Sequence, residues 1–257
     1  MPSDIPTLLF VGGHDPSGGA GLQADIETAL AHGCRALSVV SCLTTQDSRD
    51  VRALHPQPAA DFAAQLDCLL ADIRPDWVKI GLLGDAALAR ALGERLAAHR
   101  LPAVLDPVLA AGGGTPLADE ALVTALREAL LPHCRLITPN RAEARRLAGM
   151  EDAEAAARRL RELGPAVLLT GADEARTRVR NRLIDAQGAH DFEWPLLPHR
   201  YHGSGCTLAA ACACRLAAGE PLAMAVQQAQ EWTWRTLQRA GAPGHGQWLP
   251  DRRERAV

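Results

Sequence analysis

Short apolar runs alternate with amphipathic segments along most of the chain, and this alternation limits the possible folds more than any other feature. Six runs have the length and the aliphatic character of strands that are buried on both faces: 8–12, 37–43, 77–81, 103–106, 135–138 and 166–170. The segments between them predict helices at 20–32, 58–72, 85–98, 118–131, 140–148 and 152–163. Strands that alternate with helices predict a mainly parallel sheet with helices on both faces and right-handed crossovers.

The pattern changes after residue 171. Segments 178–185 and 190–196 flank a short turn and predict a hairpin at an antiparallel edge of the sheet. Two further helices are predicted at about 204–218 and 221–240, and the Gly-, Pro- and Arg-rich tail from Gly241 is expected to be irregular. No linker or repeat interrupts the chain, so we expect a single α/β domain over 1–257.

Composition excludes several classes of protein. A net charge of −3 provides no electrostatic basis for binding nucleic acid or an anionic membrane. No apolar run reaches the roughly 18 residues that a membrane span requires. The N-terminal sequence MPSDIPTLLFVGG has neither a basic region nor a small-residue cleavage site, so it predicts a first strand. Seven cysteines without C-x-x-C spacing indicate reduced thiols, and hence a cytoplasmic protein.

Polar and Gly-rich segments follow the predicted strands. Ligands of open α/β sheets bind at the carboxyl ends of strands, where GGHDPSGGAG (12–21), TTQDS (44–48), DPVLAAGGG (106–114) and PNRAE (139–143) would gather. The first of these contains no lysine and is therefore not a Walker A loop. Its match to the dinucleotide-binding fingerprint is weak, because no acidic residue closes the second strand. Its glycines predict a mobile flap.

The turn that precedes the predicted helix at 204–218 has the properties of an anion-binding site. The first N–H groups of a helix lack internal partners, and the helix dipole places about half a positive charge there. Gly203 and Gly205 would let a phosphate approach the backbone closely. The same field predicts a lowered pKa for the thiol of Cys206, which could then accept a proton. The alternative is that Cys206 is simply a small buried residue.

These segments occur in an order that resembles the ribokinase-like small-molecule kinases. GGHDPSGGAGLQADIE, TTQDS, VKIGLLGD, DPVLAAGGG, TPNRAEA and YHGSGCTLAAA resemble in particular the hydroxymethylpyrimidine/phosphomethylpyrimidine kinases of thiamin biosynthesis, over residues 8 to about 240. The resemblance implies a three-layer α/β/α sandwich, with a mainly parallel central sheet that has an antiparallel edge. It also implies a homodimer that uses ATP and Mg²⁺ to phosphorylate 4-amino-5-hydroxymethyl-2-methylpyrimidine to the monophosphate and then the diphosphate.

The resemblance also assigns roles to individual residues. It implies a catalytic anion hole formed by Gly203, Ser204, Gly205 and Cys206. Pyrimidine binding is implied for Gln46, Gly13, Ala20, Thr44, Asp25 and Val108. Mg²⁺ binding, partly through water, is implied for Asp106 and Glu143. Nucleotide binding is implied for Asn140, Thr170, Gly171 and Lys79. For Asn140 and Glu143 the residues alone favour a simpler interpretation, a helix start with an acidic first turn.

One departure from the family pattern leaves alternatives open. Many relatives have a phosphate-contacting lysine where this chain has Thr170. Lys79 or an arginine from 176–182 could replace it, or Mg²⁺ and the anion hole could suffice. A pyridoxal-type kinase and a degenerate, non-catalytic pyrimidine-binding protein are the alternatives to the pyrimidine kinase.

Overall fold

A nine-stranded sheet forms the centre of the protein, and the computed structural model describes residues 5–256. In chain order the strands are β1 Thr7–His14, β2 Arg35–Gln46, β3 Val51–Pro56, β4 Trp77–Ile80, β5 Ala103–Leu105, β6 Cys134–Ile137, β7 Ala166–Leu169, β8 Arg178–Asp185 and β9 Gly188–Pro195. Their spatial order is β3-β2-β1-β4-β5-β6-β7-β8-β9. Strands β1, β2 and β4 to β7 pair in parallel, as the alternation of strands and helices predicts.

The sheet has antiparallel pairs at both edges. The predicted hairpin is confirmed as β8 and β9, which join the sheet through β7. Strand β3 was not predicted, because VRALHP (51–56) is short and its alternation of apolar and polar residues is weak. It forms through pairing with β2, which extends beyond the predicted 37–43 as far as Gln46. This extension carries Gln46 beyond the last pair of β1 and β2, which is His14 with Leu43.

Helices cover both faces of the sheet, which confirms the predicted three-layer arrangement. They are α1 Gly21–Ala31, α2 Ala59–Asp72, α3 Ala86–His99, α4 Glu120–Ala125, α5 Arg141–Ala148, α6 Ala153–Glu162, α7 Ser204–Ala217 and α8 Leu222–Gln238. The single helix predicted at 118–131 is wrong in detail. After α4 the chain widens into a π-helical turn, Leu126–Leu130, and then tightens into a 3₁₀ turn at Pro132.

The residues of β1 show why its apolar run is continuous. Leu8 and Phe10 belong to the core on the side of α1, α7 and α8, while Leu9 and Val11 belong to the core on the opposite side. Successive side chains of a strand point to opposite faces, so a strand that is covered on both sides needs apolar residues at every position. The reading of this run as a first strand is confirmed from Thr7 onward, and residues 1–4 lie outside the described residues.

Helix α7 packs closely on the centre of the sheet because its buried face is made of small residues. Positions 209–213, AAACA, have no exposed surface, and the helix contacts β1, β4 and β5. This packing directs the N-terminus of α7 toward the carboxyl ends of the parallel strands. Within residues 5–256, no helix is both long enough and apolar enough to cross a membrane.

The C-terminal tail is irregular, as expected, but it is not loosely attached. Trp248 pairs with Tyr201 and Leu249 with Gly241 as isolated bridges, and the amide of Ala256 donates to the carbonyl of Ala31 at 2.9 Å. Arg252 is only 4% exposed. The single domain predicted over 1–257 stays a prediction, and its last residue, like the first four, lies outside the described residues.

Candidate active site

A cavity of about 630 Å³ opens at the carboxyl ends of the parallel strands. Fifteen of the sixteen predicted site residues line it, and only Gly171 does not. The amide of Gly171 instead donates to Oδ1 of Asn181 at 3.0 Å, so this N–H is already used within the protein. The prediction of a nucleotide contact for Gly171 is therefore not supported by its position.

The predicted anion hole lies at the start of α7. Gly203 is the N-cap residue, with φ at 82°, and no side chain caps the first N–H groups of the helix. A Cβ atom on Gly203 would collide with the carbonyl oxygen of Gly19, so only glycine allows the two loops to approach this closely. Ser204, Gly205 and Cys206 therefore present backbone N–H groups to the cavity, which is the geometry of an anion site.

The thiol of Cys206 does not have the low pKa that its position at a helix start predicts. Burial raises the pKa of Cys206 to about 12; Lys79 opposes this rise, and the Asp106 and Asp25 carboxylates add to it. The helix dipole is a partial charge, whereas loss of solvent and two nearby carboxylates both disfavour a thiolate. Cys206 is protonated at neutral pH. The expectation of a lowered pKa is wrong, and the alternative of a small residue that fits is favoured, while the catalytic role of Cys206 stays a prediction.

Lys79 and Asp25 form a buried ion pair on the floor of the cavity. Lys79 Nζ lies 2.9 Å from Asp25 Oδ1, and neither side chain is exposed. Burial opposes the charge on Lys79, but the Asp25 carboxylate raises the pKa of Lys79 above its usual value. Burial raises the pKa of Asp25 to about 6 despite Lys79. Both groups are thus charged at neutral pH.

This ion pair bears on the role expected of Lys79. The ammonium group raises the acidity of both Asp106 and Cys206, which places it close to the start of α7. The Asp25 carboxylate already pairs with this ammonium group. Lys79 lines the cavity, and the nucleotide-binding role predicted for it stays a prediction.

The arginines of the neighbouring hairpin do not replace the lysine that many relatives have at the position of Thr170. The amide of Thr170 donates to the carbonyl of Pro139 at 2.9 Å. The arginines of β8 are paired with carboxylates: Arg178 with Glu193, and Arg180 and Arg182 with Asp191. These pairs hold three of the candidate arginines at the edge of the sheet. Lys79, Arg176, and Mg²⁺ together with the anion hole stay open as alternatives.

Asn140 and Glu143 form a capping box at the start of α5. The amide of Glu143 donates to Asn140 Oδ1, and the amide of Asn140 donates to Glu143 Oε2, both at 2.9 Å. The simpler interpretation of these residues as a helix start is therefore confirmed. It does not remove Glu143 from the cavity. Burial raises the pKa of Glu143 to about 8, and the nearby Asp106 carboxylate contributes to the rise.

Asp106 and Glu143 together suit a divalent cation. Burial also raises the pKa of Asp106, so two carboxyl groups that repel each other share a poorly hydrated part of the cavity. A Mg²⁺ ion bound by one or two carboxylates, water and substrate phosphates would neutralise this repulsion. Residues 5–256 contain no group of three or more His, Cys, Asp or Glu side chains arranged to hold a metal by themselves.

The residues predicted to bind the pyrimidine line the same cavity as the anion hole. Gly13 and Ala20 present backbone, and Thr44 donates its hydroxyl to the carbonyl of His14 at 2.9 Å. Val108 adds an apolar wall beside Asp106. Gln46 lies beside Asp15 and helps to lower the pKa of Asp15.

Asp15 and His202 were not assigned a role from the sequence, although both lie within the quoted motifs. Asp15 accepts hydrogen bonds from the amides of Ser17 and Ala20 at 2.8 Å, and His202 Nε2 lies 2.8 Å from its Oδ2. Burial opposes its charge, but the hydrogen bonds from His202, Gln46 and Ser17 hold the pKa of Asp15 well below its usual range. The loop predicted to be a mobile flap is thus tied to the anion hole through an ionised carboxylate, and its mobility stays a prediction.

Comparison with known proteins places this site in context. A family model described as phosphomethylpyrimidine kinase matches residues 15–251. The hydroxymethylpyrimidine/phosphomethylpyrimidine kinase of Synechococcus elongatus is 36% identical over 252 residues, which are 95% of each chain. The thiamine biosynthesis bifunctional protein ThiED of Geobacter sulfurreducens is 39% identical over 248 residues, which are 93% of this chain and 51% of that protein.

A solved structure shows the same architecture. The pyridoxal kinase of Staphylococcus aureus in complex with pyridoxal superimposes with a TM-score of 0.90 at 25% identity, covering 98% of this chain and 95% of that one. The similarity confirms the predicted three-layer kinase fold, with a mainly parallel sheet and an antiparallel edge.

Proposed function

The chain belongs to the phosphomethylpyrimidine kinase family, and from this premise we propose that its cavity transfers the γ-phosphoryl group of ATP to hydroxymethylpyrimidine. The monophosphate is then phosphorylated to the diphosphate in the same site, as a step of thiamin biosynthesis. The observation that carries the proposal is the uncapped start of α7, which lines a single cavity together with Gln46 and the Asp106 and Glu143 carboxyl groups.

The start of α7 supplies the electrostatic part of the reaction. Negative charge develops on the oxygens of the transferring phosphoryl group, and pre-aimed N–H groups stabilise it without reorganisation of solvent. The backbone of Gly203, Ser204, Gly205 and Cys206 provides these donors, and the buried ammonium group of Lys79, which is paired with Asp25, lies close to them. Because the thiol of Cys206 is protonated, the proton of the substrate hydroxyl leaves late, to phosphate or to water.

Gln46 is the residue that we propose to recognise the pyrimidine ring. An amide both donates and accepts, so it can pair with a ring nitrogen and an exocyclic amino group at once. Gln46 lines the cavity beside the ionised Asp15. Gly13, Ala20, Thr44, Asp25 and Val108 complete the proposed pocket.

Asp106 and Glu143 are the proposed Mg²⁺ residues, directly or through water, with Asn140 and Thr170 beside the nucleotide. When bound, the ion neutralises charge on the phosphates of ATP. The protein contributes two oxygen ligands in a region where burial raises the pKa of both carboxyl groups. A cation that is attracted to this pair also favours their ionised forms.

We also propose that the protein is a cytoplasmic homodimer. All seven cysteines are free, which suits a reducing compartment. Two apolar side chains of β2, beside the edge strand β3, are exposed: Val40 is 36% exposed and Leu43 is 47% exposed. Light scattering after size-exclusion chromatography of wild type and Leu43→Asp tests this: a dimeric wild type and a monomeric variant are expected. A monomeric wild type contradicts the proposal.

The reaction is tested by incubating the protein with hydroxymethylpyrimidine, ATP and Mg²⁺ and recording mass spectra of the products over time. The monophosphate should appear first and the diphosphate later. Pyridoxal in a parallel incubation is the control for the alternative kinase. Phosphorylation of pyridoxal alone, or binding of the pyrimidine without any product, overturns the proposal.

A further inference from the structure

Arg252 is the most deeply buried arginine side chain near the active site, although it lies in the irregular C-terminal tail. Its side chain is 2% exposed. It lies one residue beyond the range 15–251 that the family model matches. A buried guanidinium group is costly unless its donors are paired, so its partners indicate what it holds in place.

The guanidinium group joins three separate segments of the chain. Its Nε donates to Oγ1 of Thr207, in the first turn of α7, at 2.9 Å. One terminal nitrogen donates to Oε2 of Glu27, on α1, at 3.1 Å. The other donates to the carbonyl oxygen of Gly19, in the Gly-rich loop. Gly19 and Glu27 are close in sequence, but both are far from Thr207 and from Arg252 itself, and the guanidinium group joins them at the start of α7.

Two of these contacts continue directly into the anion hole. Thr207 donates its own hydroxyl to the carbonyl of Gly203 at 2.7 Å, so the Arg252 contact also orders the N-cap residue. Gly19 approaches Gly203 so closely that a Cβ atom on Gly203 would overlap its carbonyl oxygen. Arg252 therefore fixes both backbone segments whose separation determines how the N–H groups of Ser204 to Cys206 are aimed.

We propose that Arg252 is a positioning residue for phosphoryl transfer: from the C-terminal tail it clamps the Gly-rich loop against the first turn of α7 and holds the anion hole in its reactive geometry. The inference rests on the proposed function. Neighbouring Arg253 provides a natural contrast, since its side chain is 90% exposed and pairs only with Asp251.

The test compares Arg252→Gln and Arg252→Lys with the matched control Arg253→Gln, measuring kcat, KM for the pyrimidine and Tm. Misplacement of catalytic groups by about 1 Å can lower a rate by about 10²-fold, so a kcat reduction of that order is expected for Arg252→Gln. KM for the pyrimidine should change less than kcat, because Gln46 is untouched. Lysine keeps the charge without the planar array of donors and should restore part of kcat. Arg253→Gln should behave as wild type.

A purely structural role predicts a different outcome. Arg252→Gln would then have a lowered Tm but would keep the wild-type kcat at a temperature where it is folded. This result overturns the proposal. If Arg252→Gln does not fold, Thr207→Val and Thr207→Ser separate the same alternatives, because only serine keeps the hydroxyl that links Arg252 to Gly203. Equal kcat in these two variants also overturns it. If the wild type forms no phosphorylated product, the proposed function has failed. If the wild type is active and Arg252→Gln is equally active, only this inference has failed.

Discussion

The ammonium group of Lys79 lies 2.9 Å from the carboxylate of Asp25, and both side chains are fully buried beneath the start of α7. Lys79 is the only lysine in the chain. Breaking one half of a buried pair leaves the other charge without compensation, which costs much more than the pair itself contributes. The pair therefore links the stability of the protein to the charge beneath its anion hole.

Lys79→Met should lower the free energy of unfolding by about 3–5 kcal/mol, because the Asp25 carboxylate is left buried without a counter-ion. The double variant Lys79→Met/Asp25→Asn should recover a substantial part of this loss. Urea unfolding monitored by circular dichroism provides the measurement. Arg52→Met is the control at an exposed pair, where about 0–1 kcal/mol is expected. A double variant no more stable than Lys79→Met contradicts the argument.

Cys206→Ser should keep most of kcat, because the thiol is protonated and burial holds its pKa at about 12. The rate of the wild type should not rise with pH in a way that follows ionisation of the thiol, and its pH profile should match that of the variant. Steady-state rates measured from pH 6 to pH 10 test this expectation. A general base contributes about 10²–10⁴-fold, so a loss of that size together with an altered pH profile would restore the thiolate mechanism.

Gln46→Leu should weaken pyrimidine binding by about 1–3 kcal/mol, since the ligand's polar groups lose their partner while the bulk of the side chain remains. KM for the pyrimidine and a direct calorimetric titration measure the effect. Thr45→Val is the matched control, because the hydroxyl of Thr45 contacts His55 Nε2 at 3.0 Å. An unchanged KM in Gln46→Leu removes Gln46 from the binding site.

Gly203→Ala and Gly219→Ala separate backbone strain from close approach. The two glycines have nearly the same φ, 82° and 85°, but only Gly203 lies against the Gly19 carbonyl, while nothing lies within 4 Å of a Cβ atom at Gly219. Both substitutions should cost about 1–2 kcal/mol from the left-handed conformation. Only Gly203→Ala should also abolish most of kcat. Equal rates in the two variants would show that the approach of the loops is not needed for catalysis.

Glu143 predicts a pH dependence of stability in the metal-free protein. Its pKa is raised from 4.5 to about 8, so the folded state binds its proton more tightly than the unfolded state does. Its contribution to the free energy of unfolding is therefore present at low pH and is lost as the pH rises from about 4.5 through 8. Unfolding curves between pH 5 and pH 9 should show a smaller decline in Glu143→Gln than in wild type.

The exposed Glu162→Gln serves as the control for this experiment and should decline as wild type does. Mg²⁺ should offset the decline at high pH in wild type more than in Glu143→Gln, because the ion stabilises the ionised carboxyl groups. Identical declines in wild type and Glu143→Gln, or equal effects of Mg²⁺, contradict the placement of Glu143 beside a cation.

The amino-acid sequence by itself determined the architecture and the location of the site. Leu8 to Val11 show why: a strand buried on both faces must be apolar at every position, and this requirement is visible in a short window of residues. The turn at Gly203 is visible for the same reason, because a glycine at a helix start is a local signal. Carboxyl ends of parallel strands then bring the polar segments to one edge of the sheet.

Only the tertiary structure decided the electrostatics and the supports of that site. Asp25 and Lys79 are 54 residues apart in sequence, and Gly19 and Arg252 are 233 apart, so no local pattern pairs them. The helix start alone indicates a lowered pKa for Cys206, but the burial and the neighbouring carboxylates that reverse it come from other elements. Strand β3 likewise forms because β2 extends beside it. Periodicity is a property of adjacent residues, whereas desolvation and charge pairing depend on which distant segments the fold brings into contact.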